Sequence, residues 1–172
     1  DIRLAGQVEA AFLRSPIAHG EIRGLAVPDH LRDSVFRIDD MAGVHAIRSG
    51  MSSTGYQSSE QPVLARRRVR FVGEPVAVCI APSRAEAEDI VAELALYVEE
   101  LPVLADMETA LSADAQPLHD GWTGNSFVEI DIDGDLSTAE RDAAVTVRRN
   151  FRLARQCMVP LEGKGCLAEW DR

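Results

Sequence analysis

Cysteine is scarce in this 172-residue chain, and Cys79, Cys157 and Cys166 are its only three. No two of them stand in CxxC spacing, so the ligand pattern of zinc ribbons and iron–sulfur clusters is missing. An odd, scattered set also argues against a disulfide framework and suits a reducing cytoplasm. Cys79, inside an apolar run, reads as a small buried hydrophobe. The four histidines, His19, His30, His45 and His119, include no HExxH or similar spacing, and they read as surface or hydrogen-bonded residues rather than metal ligands. Positive charge is also short, with 18 Lys and Arg against 28 Asp and Glu and a formal net charge of −10. That balance argues against a large nucleic-acid interface, which needs a basic surface to release counterions. No apolar run approaches a membrane span. The opening Asp1-Ile2-Arg3-Leu4-Ala5-Gly6-Gln7 lacks the basic and apolar regions of a signal peptide. Without an initiator methionine, it reads as the start of an excised piece, of a mature product, or of the ordered part of a chain whose first residues are disordered.

With 46% apolar and 27% charged residues, the chain has the composition of a soluble globular protein. It is long enough for one ordinary domain, or one domain and part of another. The most informative stretch is 69–102. A basic strand enters a turn at Gly73-Glu74-Pro75, and a buried strand follows through Val76, Val78 and Ile80. Ser83 followed by Glu86 forms a capping box, which predicts a helix from Arg84. Ala87, Ile90, Val91, Leu94 and Val98 then make one apolar stripe at helical spacing, expected to pack on the preceding strand. Pro75 suits a strand entrance where a ladder hydrogen bond is dispensable, and Gly73 is expected to permit a close approach that a side chain would block.

Elsewhere, Val8 to Leu13 and Ile22 to Val27 read as strands ended by Pro16 and Pro28. Residues 49–61, rich in Ser, Gly and Gln, read as an exposed loop and a candidate for disorder. Met107 to Leu111 reads as a short helical turn. Phe127 to Ile132 and Ala144 to Leu153 read as a strand pair turning at Asp133-Gly134-Asp135, with residues 137–143 as a connection. Asp131, Asp133 and Asp135 alternate as in a calcium loop, but Leu136 and Asp142 stand where that loop needs glycine and glutamate. Gly163, Gly165 and Ala168 match a dinucleotide fingerprint without the helix that must open beneath the pyrophosphate. The arginines at 66, 67, 68 and 70 read as a solvated strand edge or as a face that meets acidic protein.

Several segments, in order, resemble large subunits of molybdenum hydroxylases, the group of xanthine dehydrogenase, aldehyde oxidase and carbon monoxide dehydrogenase. They are Arg14-Ser15-Pro16-Ile17-Ala18-His19, Ala42-Gly43-Val44, the 69–102 unit, Pro117-Leu118-His119-Asp120 with Gly124-Asn125, and the stretch 156–171 with its Leu161-Glu162-Gly163-Lys164-Gly165 and Trp170-Asp171. Ala42 replaces a usual proline, and Leu161, Gly163 and Lys164 replace the Met, Pro and Arg of that last pattern. The resemblance implies an α/β (α+β) fold: a hammerhead-like domain of mixed sheet with packed helices over 1–115, a linker over 116–126, and the first strands of a molybdenum-cofactor-binding region over 127–172.

It further implies an oxidoreductase that hydroxylates aldehydes or nitrogen heterocycles, or oxidises carbon monoxide, with water as oxygen source. Molybdopterin is expected in the complete subunit, and iron–sulfur centres and FAD in partner subunits. The chain itself is expected to hold no catalytic, cofactor-binding or metal residues and to be inactive alone. Gly73, Glu74, Pro75 and Glu162 are the residues to weigh for a structural or functional part, with carboxylates in turns more often accepting amides or pairing with cations. Expected partners are the rest of the large subunit and the iron–sulfur and flavin subunits, with a homodimer as a further arrangement, and neither nucleic acid nor membrane. A free-standing assembly module that packs against separate cofactor-binding subunits is the alternative, and an unrelated acidic α/β protein is the third.

Overall fold

A computed structural model describes residues 2–132, 134–154, 156, 159 and 161–170. The chain divides into two units, residues 1–131 and 132–172. In the first unit the strands are β1 (Glu9–Arg14), β2 (Gly20–Ala26), β3 (Val35–Phe36), β4 (Ile47–Arg48), β5 (Glu60–Gln61), β6 (Arg68–Val69), β7 (Pro75–Ala81) and β8 (Ala95–Glu100). The helices α1 (Arg84–Glu93) and α2 (Met107–Ala110) complete it, with 3-10 turns at Asp29–Ser34 and Ile38–Asp40. The strands form three sheets of order β1-β7-β3, β6-β2-β8 and β4-β5, and every pairing is antiparallel. The mixed helix-and-strand class read from the sequence holds, with antiparallel sheets throughout.

The apolar run Pro75–Ala81 is central because it is buried on both faces. Val76, Ala77, Val78 and Cys79 are all buried, and β7 has a neighbour on each side, the setting in which a continuous apolar run rather than alternation is expected. Ala77 and Cys79 join Leu31 and Val35 in one core, against which Leu13, Leu25, Ile90, Val91 and Leu94 pack. Val76 joins Ala65 and Val69 in a second, closed by Ile17, Ile22, Leu96 and Val98. Each aliphatic side chain removed from water contributes about 1.5–3 kcal/mol, so the strand that feeds both clusters carries much of the first unit's stability.

Helix α1 begins as the capping box predicts. The Ser83 Oγ accepts from the Glu86 amide at 3.3 Å, and a Glu86 carboxylate oxygen accepts from the Ser83 amide at 3.0 Å. The helix packs on β1 and β7. It ends earlier than the stripe suggested. Leu94 is already extended, and Ala95–Glu100 is a strand paired with β2, Val98 opposite Ile22. Val98 therefore belongs to the second core and not to the helix. The Leu-Tyr-Val content of this stretch favours a strand, and the free ladder of β2 outweighs one further helical turn.

Two glycine expectations also change. Gly73 has nothing within 4 Å of where a Cβ would stand, and its φ is +90°. Its service is a left-handed turn, not a close approach. The close approach belongs to Gly20 in β2, where a Cβ would collide with Val98 Cγ1 and lie 2.7 Å from the Glu99 carbonyl oxygen. The loop over 49–61 is closed by the two-residue β4–β5 ladder, with Tyr56 donating to Ser49 Oγ at 2.6 Å and the Gln57 amide to the Phe127 carbonyl at 2.7 Å.

Neither 127–132 nor 144–153, the two halves of the expected strand pair, is a strand among the described residues, and Asp133 of its turn lies outside them. Leu136–Asp142 is instead a short helix, α3, capped by Asp135, which accepts from the Thr138 amide at 3.0 Å and the Ser137 hydroxyl at 2.7 Å. The Thr138 side chain first, then the Ser137 hydroxyl and the Thr138 amide, hold the Asp135 carboxyl down to about 2. A strand requires a ladder partner, and Val145, Val147, Phe151 and Leu153 here stay exposed.

Gly20→Ala should lower the urea midpoint by the equivalent of about 1–3 kcal/mol, as over-packing does where backbone cannot yield. Ser83→Ala should cost about 1 kcal/mol through the lost cap, and an unchanged midpoint would remove the cap from the account.

Candidate functional site

The structure brings together segments far apart in sequence. Antiparallel pairing of β1 with β7 sets Arg14 opposite Pro75, which places Arg14-Ser15 against Gly73-Glu74. The Ser15 amide donates to the Glu74 carbonyl at 2.9 Å, the Gly73 amide donates to the Ser15 carbonyl at 2.8 Å, and Arg14 Nη1 donates to the Gly73 carbonyl at 2.9 Å. Ser15, itself buried, accepts from the Ile17 amide at 3.0 Å. Four residues on, buried His19 has Nδ1 2.7 Å from the Pro102 carbonyl. Since a carbonyl only accepts, Nδ1 donates to it, and buried Nε2 has no partner among the described residues. This knot joins the start of β7 to the exit of β8.

Glu74 is the knot's only charge in its interior. At 3% exposure, its carboxylate accepts from the Arg70 amide, with Arg70 Nη1 at 3.9 Å. Burial raises its pKa above the ordinary 4.5, and the Arg70 amide and guanidinium oppose this only partly. Gly73 and Pro75 flank it, one supplying positive φ and the other opening β7.

Next to the knot lies a recess of about 780 Å³ whose lining includes Arg48, Arg66, Arg67, Arg68 and Arg70 with the carboxylates of Glu60 and Asp120. Asp120 faces three of these guanidinium groups, at 3.4 Å from Arg67, 3.3 Å from Arg68 and 3.8 Å from Arg70. Asp39 takes Arg66 at 2.8 Å, and Glu60 pairs with Arg48. The basic cluster is thus part of a network, not a plain solvated edge. Adjacent His119 lies tilted against Trp122 with ring centres 4.5 Å apart, and is held below the usual histidine range, mainly by burial and then by the Arg70 charge. Asn125 secures the same stretch by accepting from the Leu118 amide at 2.8 Å and donating to the Ala110 and Gln116 carbonyls at 3.1 Å each. No sequence period singles out Asp120 or Asn125, although both lie in segments that carried the family resemblance.

Of the four residues weighed from sequence, Gly73, Glu74 and Pro75 sit together in the knot, whereas Glu162 lies in the second unit and is exposed. Cys157, Met158, Pro160 and Asp171 of its motif lie outside the described residues. Among the described residues no cluster of three His, Cys, Asp or Glu could hold a metal, and none of the helices is long and apolar enough to cross a membrane. Glu74 spends its oxygens on its own turn. A carboxylate so engaged does not fit a molybdenum–pterin group. Cys79 is buried, its thiol pKa raised by desolvation, and Cys166 is exposed.

A raised carboxyl pKa means that the folded state binds more protons than the unfolded state between the two values. Stability from this group therefore falls as pH rises from about the ordinary 4.5 through the folded pKa, and the cost is complete above it. Glu74→Gln cannot titrate. The stability difference between wild type and this variant should shift in favour of wild type on acidification through that window, and a difference constant with pH would overturn the assignment.

Residues 1–102 match the family described as aldehyde oxidase and xanthine dehydrogenase, a/b hammerhead domain. The chain is similar to the nicotine 6-hydroxylase large subunit of Paenarthrobacter nicotinovorans, 30% identical across 99% of this chain and 22% of that protein. It is also similar to a xanthine dehydrogenase molybdenum-binding subunit of Escherichia coli, 31% identical across 70% of this chain and 17% of that one. Among solved structures, quinoline 2-oxidoreductase from Pseudomonas putida 86 aligns with a TM-score of 0.68 and 38% identity over 74% of this chain and 17% of its own. The chain thus spans about a fifth of the length of the curated relatives it matches. With more than half of its residues inside the matched domain, it belongs to the aldehyde oxidase and xanthine dehydrogenase family and carries that family's a/b hammerhead domain.

Proposed function

We propose that this chain is the amino-terminal, non-catalytic portion of a molybdenum hydroxylase large subunit. In this reading residues 1–115 are the hammerhead-like domain, 116–126 a linker and 127–172 the beginning of the molybdenum-cofactor-binding region. The observation that carries it is the knot itself. Gly73, Glu74 and Pro75 are consumed in joining β1 to β7, with the Glu74 carboxylate turned onto the Arg70 amide, so the motif that most resembles the family serves structure. Glu162 is proposed as a structural carboxylate as well.

The complete subunit would hold molybdopterin, which supplies the oxidative hydroxylation when bound, while iron–sulfur and FAD centres would lie in partner subunits. The reading is supported by relatives named as a large subunit and as a molybdenum-binding subunit. The exposed apolar side chains of Val145, Val147, Phe151 and Leu153 suit burial against further polypeptide of the same subunit. The reaction would take place in the cytoplasm on an aldehyde, a nitrogen heterocycle or carbon monoxide.

The 172-residue chain, purified from cells that make the molybdenum cofactor, should contain no molybdenum by mass-spectrometric metal analysis. One molybdenum per chain would overturn the non-catalytic reading.

A further inference from the structure

We infer that residues 117–127 form a latched strap. The strap fastens the β4–β5 ribbon to the arginine segment 66–70, and strap and ribbon open together as one unit while the two hydrophobic cores stay closed. This goes beyond the preceding reading, in which residues 116–126 serve as a linker.

The strap is held at two ends. At one end the Asp120 carboxylate lies 3.4 Å from Arg67 and 3.3 Å from Arg68. At the other, Trp122 Nε1 donates to the Ser58 carbonyl at 3.1 Å and Gln57 Nε2 donates to the Ser126 carbonyl at 2.6 Å, across 64 and 69 positions of sequence. The Gln57 amide donates to the Phe127 carbonyl at 2.7 Å, and the Tyr56 ring meets that of Phe127 edge-on with centres 6.2 Å apart. Contacts of such range are not those of a local turn. They join the tip of the ribbon's loop to a stretch that also grips the segment leading through β6.

Asn125 makes the strap one body. Its side-chain oxygen accepts from the Leu118 amide, which closes the loop 118–125 that carries both Asp120 and Trp122. Its amide group donates to the Ala110 and Gln116 carbonyls. The two fastenings are therefore tied to each other through a side chain that touches neither of them.

The same contacts make the unit easy to open. Neither hydrophobic cluster includes a described residue of 47–61 or 117–127. Strands β4 and β5 hold two residues each and pair with one another alone among the described residues, and an isolated two-stranded ribbon is marginal in water. Asp120, Arg67 and the Arg48–Glu60 pair are all largely exposed, and exposed ion pairs contribute little each. Few buried apolar contacts and exposed hydrogen bonds are the marks of a segment that opens below the global unfolding free energy. Because the ribbon and the strap each lean on the other, loss of either end releases both.

The test is native-state hydrogen exchange of the full chain, followed by NMR at single amides. Asp120→Asn removes the charge at one end, and the Gln57 amide at the other end should exchange about fivefold faster, the scale of one exposed ion pair. Asn125→Ala leaves both fastenings chemically intact and should speed Gln57 by a similar factor. Trp122→Phe removes the donor to Ser58 and should speed the Leu118 amide likewise. The amides of β7 should be unchanged in all three variants. In wild type, salt at about 1 M, where the Debye length is about 3 Å, should speed Gln57 exchange, and Asp120→Asn should blunt that response. A Gln57 amide indifferent to Asp120→Asn and Asn125→Ala would overturn the proposal, as would one that exchanges in wild type at the unfolded-chain rate. Equal acceleration at β7 would also overturn it, by marking global destabilisation. The molybdenum content of the chain decides the preceding reading separately, so either can fail alone.

Discussion

The first unit depends on the burial of one strand. Residues 75–81 run between β1 and β3 with α1 packed across, and the side chains of β7 supply both hydrophobic clusters. A strand so placed needs its entrance held in register, because a slip of one residue would exchange the two clusters' side chains. The knot of Ser15 with Gly73 and Glu74 supplies that hold. It ties three backbone partners at the point where the β1–β7 register shifts between Leu13 and Arg14.

The charge at the centre of the knot has a cost and a return. A carboxylate at 3% exposure loses most of its hydration, and the bond from the Arg70 amide offsets only part of that loss. In exchange Glu74 fixes the turn from β6 to β7 and sets Arg70 toward Asp120. The same turn thereby helps place Arg70 in the lining of the recess, so the core and the recess share one structural origin. A change in the turn would be felt in both.

Legibility followed locality. The β7 run, the capping box at Ser83 and the strand over Glu9–Arg14 were readable because each rests on residues within a few positions of one another. Helix α1 was overextended because Leu94 and Val98 fit a helical stripe as well as a strand, and only the free edge of β2 decides between them. Gly20 carries no local mark at all. Its need for a bare backbone comes from Val98 and Glu99, some eighty positions away. The alternation over 127–132 and 144–153 suggested a strand pair, but periodicity describes side chains and does not create a hydrogen-bonding partner.

What the residues decided by themselves was composition-level character, the position of the central strand and the start of its helix, and a likeness to one family through ordered short segments. Local rules of capping, apolar periodicity and turn chemistry act along the chain and can be read there. Only the tertiary structure decided that Arg14-Ser15 meets Gly73-Glu74, that Asp120 serves three arginines, and that these arginines line one recess. Those meetings are set by strand pairing between distant residues, and the free energy of such pairing belongs to contacts that no single segment contains.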